Sequence, residues 1–316
     1  MVKAISIGSL TLDLFFQDPS LTTEKGRFFL AIGGKYVSEY FDQGIGGGGA
    51  NIAVGLSRLG LTTALWSEIG TGGVSRLIRE RLDEEKIQPQ MLEEREDFTN
   101  VSAILLSPQG EKTIVNHRSH ETNLTFNTVR QQAIKESNLL YFGNMPELSL
   151  ELRAQVLKYA QAHDSIVALN LGVKDCRLGL KKIKPLLEHL DIFMVNRFEL
   201  ADILHDHPKE LILTEINLLK QLGLPLKAAL VITDGEFGSY VQTHDSIIHE
   251  PAIKVKRVVD STGAGDAFTS GFLAAIYYKR SLQECLKAGT LNANSVIQQI
   301  NAQKGLLKKQ KLFENS

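Results

Sequence analysis

The segment Asp260-Ser261-Thr262-Gly263-Ala264-Gly265-Asp266-Ala267-Phe268 holds the residues of this 316-residue chain best suited to chemistry. Small residues at 263–265 let backbone N–H groups crowd around an anion. The run that follows has Phe268, Phe272 and Ala275 at helical spacing, and a helix start adds positive potential. A carboxylate at the same point, Asp266, has no place in a site that only holds phosphate. It suits a site that must also remove a proton. In phosphoryl transfer the protein positions groups and offsets charge, while a carboxylate accepts the hydroxyl proton. Such a base contributes ~10²–10⁴-fold. Standing alone, Gly-Ala-Gly-Asp would read as a turn followed by a first-turn helix acid.

A second glycine run, Gly46-Gly47-Gly48-Gly49-Ala50-Asn51, also precedes a helical pattern. Gly44 to Gly49 satisfies G-x-G-x-x-G, but a dinucleotide fingerprint belongs after the first strand, with an acid about 20 residues on. The first strand here ends in Gly8-Ser9 without it. Asn51 offers both a donor and an acceptor, which suits a polyol better than a pyrophosphate. Asp13, just past the first strand, can accept from two adjacent hydroxyls.

Positioning these residues requires a strand–helix framework. Strand patterns fall at Ala4–Gly8, Thr63–Ile69, Leu139–Phe142, Ile166–Asn170, Ile192–Val195 and Ala229–Thr233, with helical patterns between them. Helices are expected over 50–59, 74–85, 149–163, from Arg197, over 265–279 and over 282–300. This alternation predicts an α/β fold with a mostly parallel sheet flanked by helices. The chain reads as a single domain over 1–316 with two β-rich insertions, about 14–42 and 98–125. Strands at 101–107 and 112–117 are joined by a Ser-Pro-Gln-Gly-Glu loop. Paired over one edge of the core, the insertions would form a β lid that excludes water. The lysine-rich stretch 304–311 reads as a solvated, fraying end.

The formal net charge of −1 supplies no basic stripe, so a nucleic-acid partner is not expected. No apolar run approaches the ~20 residues that cross a bilayer, so no membrane association is expected. Cys176 and Cys285 are far apart without metal-type spacing. A disulfide framework is not expected, and the reading is a cytoplasmic protein.

Together the two glycine segments resemble the ribokinase-like (PfkB) carbohydrate kinase family. Gly48-Gly49-Ala50-Asn51-Ile52-Ala53, then Gly60 and Gly70, is similar to its first signature, and 260–273 to its second. Asn196-Arg197-Phe198-Glu199 resembles its N-x-x-E element, and Thr233-Asp234-Gly235-Glu236-Phe237-Gly238 its nucleotide loop. The resemblance covers nearly the whole chain and implies a three-layer ribokinase-like core with a small β lid. It implies an ATP-dependent kinase with a sugar or sugar derivative as acceptor. By it, Gly263, Ala264 and Gly265 form the anion hole and Asp266 is the base. Asn196, Thr233, Gly235, Gly238 and Asn292 (or Asn294) serve the nucleotide. Glu199 helps hold Mg²⁺ through water. Asp260 and Thr262 match positions that hold a monovalent cation such as K⁺ in relatives. Asp13, Gly47, Gly48 and Asn51 face the acceptor, and Arg118 could meet an anionic group on it. A homodimer through the lid is a further expectation.

The ribokinase subgroup has a lysine where this chain has Gly48, and Leu169-Asn170-Leu171-Gly172 lacks the Asp-Pro-Asn triplet of several sugar-acid and ketose kinases. Ribose is therefore not singled out. A nucleoside acceptor stays open because the first insertion carries Phe15, Phe16, Phe28, Phe29, Tyr36, Tyr40 and Phe41. A non-catalytic sugar or nucleotide sensor is the alternative from another class. The intact Gly263–Asp266 run speaks against it.

Overall fold

The computed structural model describes residues 1–25, 27–96, 98–108, 111–119, 122–214 and 217–313. In chain order its strands are β1 (Ala4–Ile7), β2 (Thr11–Gln17), β3 (Thr23–Glu24), β4 (Arg27–Phe28), β5 (Tyr40–Gly46), β6 (Thr63–Gly70), β7 (Leu92–Arg95), β8 (Val101–Leu106), β9 (Lys112–His117), β10 (Leu139–Phe142), β11 (Ile166–Asn170), β12 (Ile192–Asn196), β13 (Ala229–Thr233), β14 (Ser239–Gln242) and β15 (Ile247–Glu250). Nine of them form the large sheet, in the order β15-β14-β13-β12-β11-β10-β1-β6-β7. Pairing is parallel from β7 through β13, and the edge strands β14 and β15 are antiparallel.

The central strands are buried on both faces, as a parallel sheet between helix layers requires. Along β1, β10, β12 and β13 alternate residues enter different cores. Ile5, Leu140, Phe193 and Leu230 pack with Val156, Leu186 and Leu200 from the helices Leu150–Gln161, Leu180–Leu187 and Arg197–Leu204. Ala4, Leu139, Met194 and Val231 pack with Ile52, Phe272 and Leu286 from the helices Gly48–Arg58, Ala264–Tyr277 and Leu282–Val296. Both cysteines lie in these cores, and burial pushes both thiols up, Cys285 to about 12. Among the described residues, no helix is long and apolar enough to cross a membrane.

The two β-rich segments supply a second, four-stranded sheet in the order β5-β2-β8-β9. It begins and ends beyond the expected limits, since β2 starts at Thr11 and β5 runs to Gly46. Register sorts its faces by period two. Asp13 pairs with Ser102, Phe15 with Ile104, and Lys112 with Leu106. These side chains share the face turned to the core, where Phe15, Ile104 and Leu106 meet Ile300. Phe16 and Phe41, 5.4 Å apart, belong to the other face with Val115. Gln109 and Gly110 of the expected β8–β9 turn lie outside the described residues.

The lysine-rich stretch is no fraying end. Leu306 and Leu312 are buried, and Asn292 Oδ1 accepts the Leu307 N–H at 2.9 Å. Lys304 pairs with Asp42 at 2.9 Å. The lysines are exposed while their apolar neighbours pack, a pattern masked by the local charge density.

Arg153 and Asp175 form a fully buried bidentate pair at 2.6 and 2.9 Å between helices of one layer. Removing one partner strands the other charge, which costs ~3–5 kcal/mol. Arg153→Leu is therefore expected to lower the urea midpoint sharply. Asp175→Asn with Arg153→Leu should recover part of the loss, as read by equilibrium unfolding.

Candidate active site

Asp266 stands in the first turn of the helix Ala264–Tyr277, and Gly263 caps that helix with φ +75°. A Cβ on Gly263 would collide with Ala302, so both backbone conformation and space demand glycine here. The Ala264 N–H is turned to Ser261 O at 3.3 Å. The N–H groups of Gly263, Gly265 and Asp266 have no acceptor among the described residues, so three donors at a helix start are free for an anion. A Cβ on Gly265 would meet nothing within 4 Å, leaving open space in front of these donors. Of the residues expected to form an anion hole, Gly263 and Gly265 keep free N–H groups, joined by that of Asp266, whereas Ala264 does not.

Burial raises the Asp266 carboxyl to about 6, against the opposing pull of a hydrogen bond from Asn51. That bond runs from Asn51 Nδ2 to Asp266 Oδ2 at 2.7 Å. Asn51 Oδ1 in turn accepts from Gln303 Nε2 at 2.9 Å. Asn51 is thus largely committed to orienting the Asp266 carboxylate, with one N–H left for a ligand. Gln303 was not marked by the sequence. Nothing local distinguishes it, because its role exists only once the C-terminal segment packs behind Asn51.

The glycine run threads between two carboxylates. A Cβ on Gly46 would strike Asp13, and one on Gly48 would sit 3.5 Å from Asp266 Oδ1. Gly47, at φ +89°, has no room because Ser9 and Leu10 backbone atoms close on it. Asp13 is buried, accepts from Thr11 Oγ1 at 2.8 Å, and is raised by burial. Thr11, Ser102 and the Arg118 charge oppose that rise, so the sequence-marked arginine acts on the same carboxylate. Arg118 is exposed and forms no ion pair among the described residues.

On the other side of Asp266, strand ends bring together Tyr141, Asn196, Glu199, Thr233 and Gly265 around one pocket. Asn196 and Thr233 are register partners at the C-terminal ends of β12 and β13. That is where open α/β sheets place ligands. Asn196 also caps the helix Arg197–Leu204 in a reciprocal capping box with Glu199. Burial raises Glu199 to about 7, opposed by bonds from the Asn196 amide and Asn170.

Three expected roles change. Asn292 is 0% exposed; its Nδ2 donates to Ala267 O at 2.8 Å and its Oδ1 accepts from Leu307, so it braces helices and cannot reach a nucleotide. Gly238 is buried at φ +97° against the Glu250 carbonyl, so the β13–β14 turn requires it, whereas Gly235 is exposed with nothing within 4 Å. The oxygens of Asp260 and Thr262 expected around a monovalent cation already engage the ammonium of Lys112. It lies 3.1 Å from Asp260 Oδ1 and also donates to Thr262 Oγ1.

Free donors and an oriented carboxylate at one helix start, with a second carboxylate on the small sheet, are the parts that phosphoryl transfer to a hydroxyl calls for. The chain belongs to the pfkB family of carbohydrate kinases, whose family profile matches residues 3–309. An Archaeoglobus fulgidus protein described as an uncharacterized sugar kinase is 22% identical over 80% of this chain and 98% of its own. A Methanocaldococcus jannaschii nucleoside kinase is 24% identical over 97% of this chain and 94% of its own. The structure of Arabidopsis thaliana ribokinase complexed with ribose and ATP superposes with a TM-score of 0.81. It is 20% identical and covers 99% of this chain and 98% of that one. The ribokinase-like fold is thereby established.

In the expected role of base, Asp266 must be ionised to act, so kcat/KM should fall below about pH 6. Asn51→Ala removes a bond that favours the charged form and should move that acid limb upward. Because the folded value exceeds the usual 3.8, the stability linked to this group is full below that value and is lost as pH rises through about 6. Asp266→Asn should therefore be more stable than wild type at pH 7. The gain should be about 1–2 kcal/mol, discounted for solvent reaching a partly exposed group. A pH–rate profile and unfolding at pH 4 and 7 check both signs.

Proposed function

We propose that the protein transfers the γ-phosphoryl group of ATP to a hydroxyl of a sugar or sugar derivative. The observation that carries this reading is the Asp266 carboxylate, held by Asn51 at a helix start whose N–H groups are free. Asp13 accepts from acceptor hydroxyls, and the remaining Asn51 N–H adds a donor beside it. The reacting hydroxyl lies against Asp266 Oδ1, the oxygen not used by Asn51, and yields its proton there as the phosphoryl group arrives. The transferred group's oxygens receive the N–H groups of Gly263, Gly265 and Asp266, which offset charge where it develops.

ATP lies along the ends of β12 and β13, beside Thr233 and Gly235. Mg²⁺ keeps several waters and binds through one or two carboxylates and phosphates, so it needs no cage of acidic side chains. Glu199, with Asn196 beside it, is the carboxylate placed to hold those waters. When bound, Mg²⁺ supplies charge neutralisation at the phosphates.

A sugar is favoured over a nucleoside because Phe16 and Phe41 lie on the face of the small sheet turned from Asp13, and Phe15 is packed against Ile104 and Leu106. The outer face of Phe16, Phe41 and Val115, the latter two 55% and 62% exposed, suits pairing with a second copy through the small sheet. The protein is read as cytoplasmic, with small molecules and not nucleic acid as partners.

Wild type and Asp266→Asn should be compared for ATP consumption with Mg²⁺ against pentoses, hexoses, sugar acids, sugar phosphates and nucleosides. A substrate-dependent rate that drops ~10²–10⁴-fold in the variant is expected. Folded, ATP-binding protein that turns over none of them would instead support a ligand sensor. Sedimentation of wild type and Phe41→Glu should give a dimer and a monomer.

A further inference from the structure

Lys112 is the first residue of β9, the outermost strand of the small sheet. Register with Leu106 puts it on the inward face, the same face as Asp13. Its ammonium reaches across to the loop before the helix Ala264–Tyr277 and meets Asp260 Oδ1 at 3.1 Å, with Thr262 Oγ1 as a second acceptor. These two residues lie 148 and 150 positions away in the chain. The Asp260 side chain is 1% exposed and that of Lys112 28%. Asp260 Oδ1 also accepts the Thr262 N–H and hydroxyl, at 2.9 and 2.6 Å. Asp260 Oδ2 lies 3.4 Å from the Asn301 N–H. Burial pushes the Asp260 carboxyl up, but the Thr262 bonds and the Lys112 charge together leave it below the usual range. The attachment is reinforced at the turn, where Arg257 Nη2 donates to Pro108 O at 3.1 Å.

Thr262 immediately precedes Gly263, the first free N–H of the anion hole. A cation bound to Asp260 and Thr262 therefore fixes this loop and raises the positive potential at its donors. A buried carboxylate demands such a cation, because an unpaired charge there is costly. We infer that Lys112 is a built-in cation that takes the place of a monovalent metal ion at the anion-hole loop and fastens the small sheet to it. The residue acts as a positioning residue. It sets the loop and does not touch the reacting atoms. Two consequences follow from the charge being covalently attached. The wild-type enzyme does not need K⁺. The loop is set only when the small sheet is seated, so acceptor enclosure and anion-hole alignment are coupled. This inference rests on the kinase reading for the loop's purpose, but the ion pair can be tested without turnover.

The test uses wild type, Lys112→Ala and Lys112→Met in KCl, NH₄Cl or tetramethylammonium chloride at equal ionic strength. Thermal unfolding is the first readout, and turnover with an acceptor that wild type uses is the second. Wild type should give the same Tm and rate in all three salts. Both variants should melt several degrees lower in tetramethylammonium, which is too large for the space, and recover in K⁺ or NH₄⁺ by binding linkage. Their rates should recover in the same salts. Lys112→Met keeps most of the aliphatic stem, so a defect shared with Lys112→Ala is a loss of charge and not of packing. A wild-type Tm or rate that rises with K⁺ over tetramethylammonium would overturn the inference. So would variants that fold and bind ADP but gain nothing from K⁺ or NH₄⁺, since Lys112 would then be a phosphate ligand or a plain tether. Failure of every acceptor would remove the kinase reading while leaving the Tm comparison decisive for the cation.

Discussion

Two helix starts from distant parts of the chain must meet side by side, and the contact that sets them is the bond from Asn51 to Asp266, 215 positions apart. Close approach of the helices makes it possible. A Cβ on Gly55 would collide with the buried Ser270 side chain, and Gly49 lies against the backbone of Gly8. Behind Asn51 the support continues outward. Gln303 holds Asn51, and the Gln303 carbonyl accepts from Arg58 at 2.5 Å. Arg58 is itself held by two bonds to Glu85. Each group fixes the next, so the Asp266 carboxylate has one orientation, the kind of backing that the proposed proton acceptor needs.

The sheet order explains why these parts converge. β1 is paired on one side with β6 and on the other with β10. The chain therefore changes direction of growth at β1, and a crevice opens beyond its C-terminal end. Gly8 marks that end. The glycine-rich start of the helix Gly48–Arg58 lies against it, and the helix Ala264–Tyr277 packs beside that helix. The pocket along β10, β12 and β13 is the continuation of the same crevice.

Much of this was legible in the sequence for a physical reason. Anion-binding loops, helix starts and parallel strands make local demands, so Gly263–Asp266, Gly46–Asn51 and the strand cores appear as short patterns. The family resemblance extended that reading to Asn196, Glu199 and Thr233. What was not legible depends on tertiary juxtaposition. Asn292, expected at the nucleotide, is an interior brace. Gln303 and Lys112 carry no local mark of their roles. The tail looked solvated because its lysines outnumber the leucines that anchor it. Gly235 and Gly238 occur in one turn, but only backbone angles and neighbouring carbonyls show that Gly238 is needed for the turn.

The residues that would grip the acceptor and those that would activate phosphate sit on different sheets. Asp13 and Arg118 belong to the small sheet and its edge, whereas Asp266, Asn196, Glu199 and Thr233 stand on the core. Substitutions in the small sheet away from Lys112 can therefore change what is recognised while the groups that carry out the transfer keep their places. Wherever that one tether is kept, a gene of this kind could acquire a new acceptor through changes in two short segments while its reaction is inherited intact.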